Sequence, residues 1–204
     1  MAYQPSPSRL EAFSDGVIAV IITIMVLDFK VPKEPGMAGL LTVLPTLLVY
    51  LLSFVFVGIY WINHHHTVDR LEDVDPLILW ANLDLLFWLS LTPFVTSYMI
   101  DKHFDSFSVA VYLASLLVTG SSFTLLQWAI THHMALCGHP HDPAEAARHF
   151  AEQRKAYISI ALYLVGGLLA FRNPMLGLAC AAVVAILWIT PTFGTRHHDK
   201  TEPL

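Results

Sequence analysis

Apolar residues run along this chain in long stretches separated by short polar breaks. Windows of about 20 predominantly apolar residues, the length a helix needs to cross hydrocarbon, fall at roughly 9–30, 39–63, 76–100, 107–131, 150–171 and 174–192. They leave nothing over for a soluble domain. The expectation is one all-α transmembrane domain of six helices over residues 1–204, with short tails at 1–8 and 193–204. The breaks read as helix punctuation. Asp75-Pro76 is an N-cap followed by proline at the first helical position, and Asp142-Pro143-Ala144-Glu145 repeats the signal with Glu145 placed for a capping box. The fifth helix is therefore expected to begin before its apolar stretch, with Arg148, Arg154 and Lys155 on its leading turns reaching toward water. Asn173-Pro174 leaves so little chain between the last two windows that they must form a tight hairpin, and Pro93 predicts a kink in the third.

Composition settles the solvent. Of the residues, 55% are hydrophobic and 13% charged, against about 25% charged in soluble proteins. This is the composition of a multi-pass protein of the cell membrane. A net charge of −5 with scattered Lys and Arg offers no surface for nucleic acid. Two cysteines, Cys137 in a polar loop and Cys180 in an apolar stretch, do not make a disulfide framework. The opening MAYQPSPSR lacks the basic region and cleavage site of a signal peptide, so the first apolar run is expected to stay in the mature protein. With six spans drawn, seven Lys and Arg (Arg9, Arg70, Arg148, Arg154, Lys155, Arg196, Lys200) fall on the side of the termini and four (Lys30, Lys33, Lys102, Arg172) opposite. By the positive-inside rule both termini are cytoplasmic. Ten of eleven histidines share that side, a bias the rule does not cover.

Ser14 and Asp15 stand out because they lie inside the first span. A carboxylate at mid-membrane costs about 2.5 to 3.5 kcal/mol on insertion scales and needs a partner or water. Asp15 is six residues past Arg9, roughly 9 Å in at about 1.5 Å per residue, so it is shallow. On the same side the second span ends in Trp61, Asn63, His64, His65 and His66, and the third begins with Asn82 six residues after Pro76. A network joining Ser14 and Asp15 to one histidine and to Asn82 would satisfy every member, and its plainest role is to lock helices together. At 100° per residue, Phe13, Gly16, Val20, Ile24 and Leu27 form a line on the other half of the helix. That line would suit lipid, another helix or a dry pore wall, and periodicity does not choose among them.

Arg9, Phe13, Ser14 and Asp15 spell R-x-x-x-F-S-D. Together with GVIAVIITIMVL after it, YWINHH at 60–65 and NLDLLFWLSLTPF at 82–94, the chain resembles the prokaryotic branch of the transmembrane protein 175 family, the endosomal and lysosomal potassium channels. The resemblance covers about the first hundred residues. It implies a homotetramer of six-helix subunits around a potassium-permeable pore lined by first helices, with K+ ions and the lipid bilayer as partners and no cofactor beyond the permeant ion. It also implies a narrowest ring five positions after the aspartate, at Val20, with further pore positions at Thr23, Ile24 and Leu27. Family members usually carry Ile or Leu at the ring, and Val20 is a methylene smaller, which implies a wider or more easily wetted neck. No T-V-G-Y-G stretch occurs. Such a pore would gate by dewetting, with Thr23 hydroxyls as the nearest ion ligands and a modest preference for K+ over Na+.

Other residues have blander readings. His64, His65 and His66 fan over 200° of one helix and do not share a metal, so the expectation is one facing Asp15 and two facing water. The stretch HHMALCGHPHD holds His132, His133, Cys137, His139 and His141, but its spacing matches no standard metal site, and a solvated loop is the default. Gly166-Gly167 and Gly177, Ala181, Ala185 read as small-residue packing surfaces. Asp84 and Gln127 read as polar groups satisfied between helices. A proton-coupled or metal-ion secondary transporter is the alternative function, but no inverted repeat is evident. No enzyme is expected, because neither G-x-S-x-G nor H-E-x-x-H occurs.

Overall fold

The structure, a computed structural model, describes residues 6–137 and 143–190. Asp142, His139, His141, Arg196, Lys200 and the 193–204 tail lie outside them, as do the side chains of Glu145 and Arg148. Among the described residues there are eight α-helices: α1 (Pro7–Met25), α2 (Gly36–Thr42), α3 (Leu44–Val68), α4 (Pro76–Ser90), α5 (Thr92–Asp101), α6 (Ser106–Leu136), α7 (Pro143–Ala170) and α8 (Pro174–Ile189). Three stretches are long and apolar enough to cross a membrane, at Leu44–Val68, Pro76–Asp101 and Ser106–Leu136, and α8 is a shorter apolar helix.

The helices begin where the sequence signals stand. Asp75 accepts a 2.8 Å hydrogen bond from the Ile78 amide, and Asp105 caps α6 through the Ser108 amide at 2.7 Å. Asn173 accepts from the Met175 amide at 3.0 Å and closes the α7–α8 hairpin. The kink expected at Pro93 shows as a one-residue interruption of the hydrogen-bond ladder: α4 ends at Ser90 and α5 restarts after Leu91, which keeps helical dihedrals. Proline at the second position of α5 has no N–H to continue the ladder, and its ring crowds the carbonyl four residues back. The second window is likewise divided, with Val43 separating α2 from α3 and Pro45 in the first turn of α3. The helices also overrun several window edges. α1 starts at Pro7, α3 runs to Val68, and α6 runs through the polar residues to Leu136, so Cys137 caps a helix.

Two apolar cores share α6. One gathers Ile18, Ile21 and Met25 of α1 with Val57, Leu85 and Leu126, and the other gathers Phe56, Met99, Tyr112, Tyr163, Ala181 and Val184. In lipid the hydrophobic effect gives helices little reason to associate, so close packing and interhelical hydrogen bonds must hold these cores. Ser53 of α3 supplies one such brace, with Thr96 of α5 at 2.9 Å and Tyr112 of α6 at 3.0 Å. Gln127 donates to Glu152 across α6 and α7 at 3.2 Å, as its interhelical reading expects. Asp84 differs, having no hydrogen-bond partner among the described residues. Lys155 also takes an interhelical partner: it donates to the Thr190 carbonyl at 2.8 Å and lies over the Trp188 ring. A cation there complements the negative end of α8.

The small residues sort by contact. A methyl group on Gly166 would stand 2.8 Å from the Cys180 Cβ, whereas one on Gly167 would meet nothing within 4 Å. Gly177 packs on Ala170 and on the Gly166 carbonyl, with Ala181 and Ala185 buried beside it. Gly166→Ala is therefore expected to lower thermal stability, because a clash between two Cβ atoms is relieved only by moving backbone, at about 1–3 kcal/mol. Gly167→Ala should raise stability by up to about 1 kcal/mol through helix propensity. Monodispersity after heating in detergent measures both.

Candidate functional site: the polar and apolar sides of the first helix

Leu10, Ser14, Ile18, Ile21 and Met25 form the buried stripe of α1, at the spacing of one helical face. Ser14 sits in it as the one polar member. Its hydroxyl donates to the Leu10 carbonyl at 2.8 Å and accepts from Asn82 Nδ2 at 3.0 Å. Asn82 Oδ1 in turn lies 2.7 Å from His64 Nε2. All three residues are buried. In this chain Nε2 carries the proton, because the carbonyl oxygen it meets can only accept. The other ring nitrogen, Nδ1, then needs no acceptor, and it has no protein partner among the described residues.

Asp15 takes a different partner from the expected histidine. Its Oδ1 accepts from the Trp61 indole at 2.9 Å, while His65 Nδ1 meets Glu11 Oε1 at 2.6 Å. The reason is register. Residues 11 and 65 pair, and so do 15 and 61; each pair sums to 76, as antiparallel neighbours must. His65 consequently lies one turn farther out than Asp15 and faces Glu11 instead. The expected single network is thus two: a buried Ser14–Asn82–His64 chain between α1, α3 and α4, and a more exposed pair of rungs between α1 and α3. Sequence reasoning does not single out Glu11, although its spacing of four from Asp15, matching that of Trp61 and His65, is the available signal. Asn63 joins neither network, since its amide donates to the Ile59 carbonyl on its own helix at 2.7 Å. His66 is exposed, and so is Arg9.

The opposite edge of α1 is left uncovered. Val20 is 53% exposed, Ile24 45%, and Leu27, in the 3-10 turn that follows α1, 78%. Phe13 and Gly16 are exposed on the same line. With Pro93 and Phe94 at the α4–α5 break, this edge lines an open groove of about 830 Å³. Thr23 is also exposed, and its hydroxyl donates back to the Ala19 and Val20 carbonyls, each at 3.0 Å. Its proton is thereby occupied, and its lone pairs remain for a cation rather than an anion.

A helical, multi-pass membrane protein whose first helix pins its polar side and bares its aliphatic edge is the class these features define. The family model described as "Endosomal/lysosomal potassium channel TMEM175" matches residues 9–93. A potassium channel of Chryseobacterium sp. (strain P1-3) is 43% identical over 183 residues, covering 90% of this chain and 92% of that protein. One of Streptomyces collinus (strain DSM 40733 / Tue 365) is 35% identical over 191 residues, covering 88% and 90%. The crystal structure of a lysosomal potassium-selective channel TMEM175 homolog from Chamaesiphon minutus superposes with a TM-score of 0.74 at 27% identity, over 89% of this chain and 95% of that one. The chain belongs to the TMEM175 family.

If the buried chain locks α1, Asn82→Leu should destabilise by about 1–3 kcal/mol, the cost of leaving the His64 donor unpaired. Asp15→Asn keeps an acceptor for Trp61 and should change stability little. Thermal melts of the two purified variants compare them, and equal losses would remove the distinction between the networks.

Proposed function

We propose that the chain is the subunit of a potassium-permeable channel in which four copies surround a pore lined by α1. Each subunit crosses the membrane six times, by α1, α2–α3, α4–α5, α6, α7 and α8, with both termini cytoplasmic. The observation that carries the reading is the uncovered edge at Val20, Ile24 and Leu27 on a helix whose other side is fully engaged. The potassium-channel names of its relatives supply the ion.

A ring of four valines offers an ion no ligands. It acts as a hydrophobic gate, conducting when it widens enough to hold water. Valine's small side chain makes that neck easier to wet than one of Ile or Leu. Thr23, nearly one turn farther on, adds a layer of oxygen acceptors that replaces part of the hydration shell and gives K+ a modest advantage over Na+. No carbonyl filter takes part.

Recordings of purified protein in planar bilayers test this reading. Single-channel steps are expected, whereas slow electrogenic or silent uptake would mean a carrier. Val20→Trp should abolish the current by plugging the neck, and an unchanged conductance would remove that assignment. Thr23→Ala should move the reversal potential under mixed K+ and Na+ toward the unselective value. A reversal potential that stays put would leave the hydroxyls without a role. Mass determination in nanodiscs tests the stoichiometry.

A further inference from the structure

Outside the α1 site, the end of α6 meets the loop before α4 in a cluster that the linear sequence does not display. His133 and Cys137 lie four apart on the last turns of α6, on one helix face. Asp73, sixty residues earlier, is brought against them. His133 Nε2 stands 2.8 Å from Asp73 Oδ1 and 3.7 Å from Cys137 Sγ. The three ligand atoms lie within 4.8 Å of one another.

We propose that Asp73, His133 and Cys137 form a binding site for a divalent transition metal of the Zn2+ type, with water completing a tetrahedron. Ligand chemistry and spacing both support it. Thiolate, imidazole and carboxylate are the donors that Zn2+ takes, and one thiolate with one carboxylate neutralises its charge. With metal–nitrogen and metal–oxygen bonds of about 2.0 Å and a metal–sulfur bond of about 2.3 Å, a tetrahedral site separates N from O by about 3.3 Å and N from S by about 3.5 Å. The observed 2.8 and 3.7 Å are within half an ångström of those values. Small side-chain rotations would bring the atoms into place.

The second nitrogen of His133 strengthens the case. Nδ1 lies 3.2 Å from Asp75 Oδ2, while the other Asp75 oxygen caps α4 through the Ile78 amide. A carboxylate fixed by a separate structural duty thus holds the imidazole with Nε2 aimed at Asp73 and Cys137. Metal-ligating histidines are typically oriented by a carboxylate on the far nitrogen in this way. Asp73 and Cys137 are exposed, so an ion has a path in. Binding would release the thiol proton and any proton shared between His133 and Asp73. The competing account is that Asp73 and Asp75 only pair with a protonated His133, with Cys137 a bystander.

Cobalt titration of the full-length protein in detergent separates the two. Co2+ should bind at one site per subunit with the visible bands of a tetrahedral ion and a thiolate-to-cobalt charge-transfer band, and Zn2+ should bleach both. Cys137→Ser should abolish the charge-transfer band, while Cys180→Ser keeps it. His133→Gln and Asp73→Asn should each weaken binding at least about tenfold. Asp75→Asn, which preserves a helix cap, should weaken it by about tenfold without removing the thiolate band. Unchanged circular dichroism and elution volume show that each variant folds. Absence of the charge-transfer band in the parent protein overturns the site. So does its persistence in Cys137→Ser, or undiminished affinity in both His133→Gln and Asp73→Asn.

Discussion

In hydrocarbon a polar side chain has no water to return to, and this makes the buried Ser14–Asn82–His64 chain a rotational key for α1. Turning α1 by one residue would swing Ser14 through 100° and strand the Asn82 amide donor in a medium that makes such groups costly, while the Asn82–His64 bond between α4 and α3 stayed in place. The exposed rungs Asp15–Trp61 and Glu11–His65 enforce the same angle from a second side. With the rotation fixed, the line through Phe13, Gly16, Val20, Ile24 and Leu27 has no choice but to face away from the helices of its own chain. The aliphatic edge is thus a consequence of the polar network. A helix apolar all round would otherwise have nothing to define its orientation.

A comparable logic holds the rest of the bundle. α6 is shared by both cores, and the polar contacts along it are spaced over its length. Near its start Tyr112 meets Ser53, with Thr96 behind, while Gln127 meets Glu152 farther along and His133 meets Asp73 and Asp75 near its end. Each of these contacts sets depth as well as angle, which apolar packing alone does loosely. The glycine and alanine contacts of the α7–α8 hairpin then bring backbones close enough for dispersion to act where hydrophobic association has little force.

How much of this could be read in advance follows from what is local. Helix starts at Asp75 and Asn173 depend on residues two or three apart. The interruption near Pro93 depends on a missing N–H. The side of α1 that is buried follows from the position of Ser14 together with the 3.6-residue period. All of these belong to the amino-acid order. Pairings between helices do not, because they need a register that no single segment contains. Depth alone matches Asp15 to a histidine, and an antiparallel offset of one turn gives it Trp61 instead. Lys155 reads as a snorkelling side chain until α8 supplies a carbonyl for it. The His/Cys stretch at the end of α6 fits no ligand spacing by itself, and Asp73, which stands against His133, comes from another loop. The aliphatic edge of α1 was visible as an edge, but the period that defines it does not say what it faces.

The distribution of anchors along α1 bears on how such an edge could move. Among the described residues, the polar bonds of α1 to α3 and α4 run from Glu11 to Ser14 and Asp15 in its first half, whereas Ile18, Ile21 and Met25 pack the second half by van der Waals contact. The break between α4 and α5 falls alongside that second half, where Pro93 shares the groove with Val20 and Ile24. Hydrogen bonds resist rotation and displacement steeply, while aliphatic side chains slide over one another at low cost. In the proposed channel, a displacement that widened the ring at Val20 would therefore pivot about the Ser14–Asn82 contact and be taken up beyond it. The polar end would keep its geometry, and the size of the neck would be set by how far the apolar half leans.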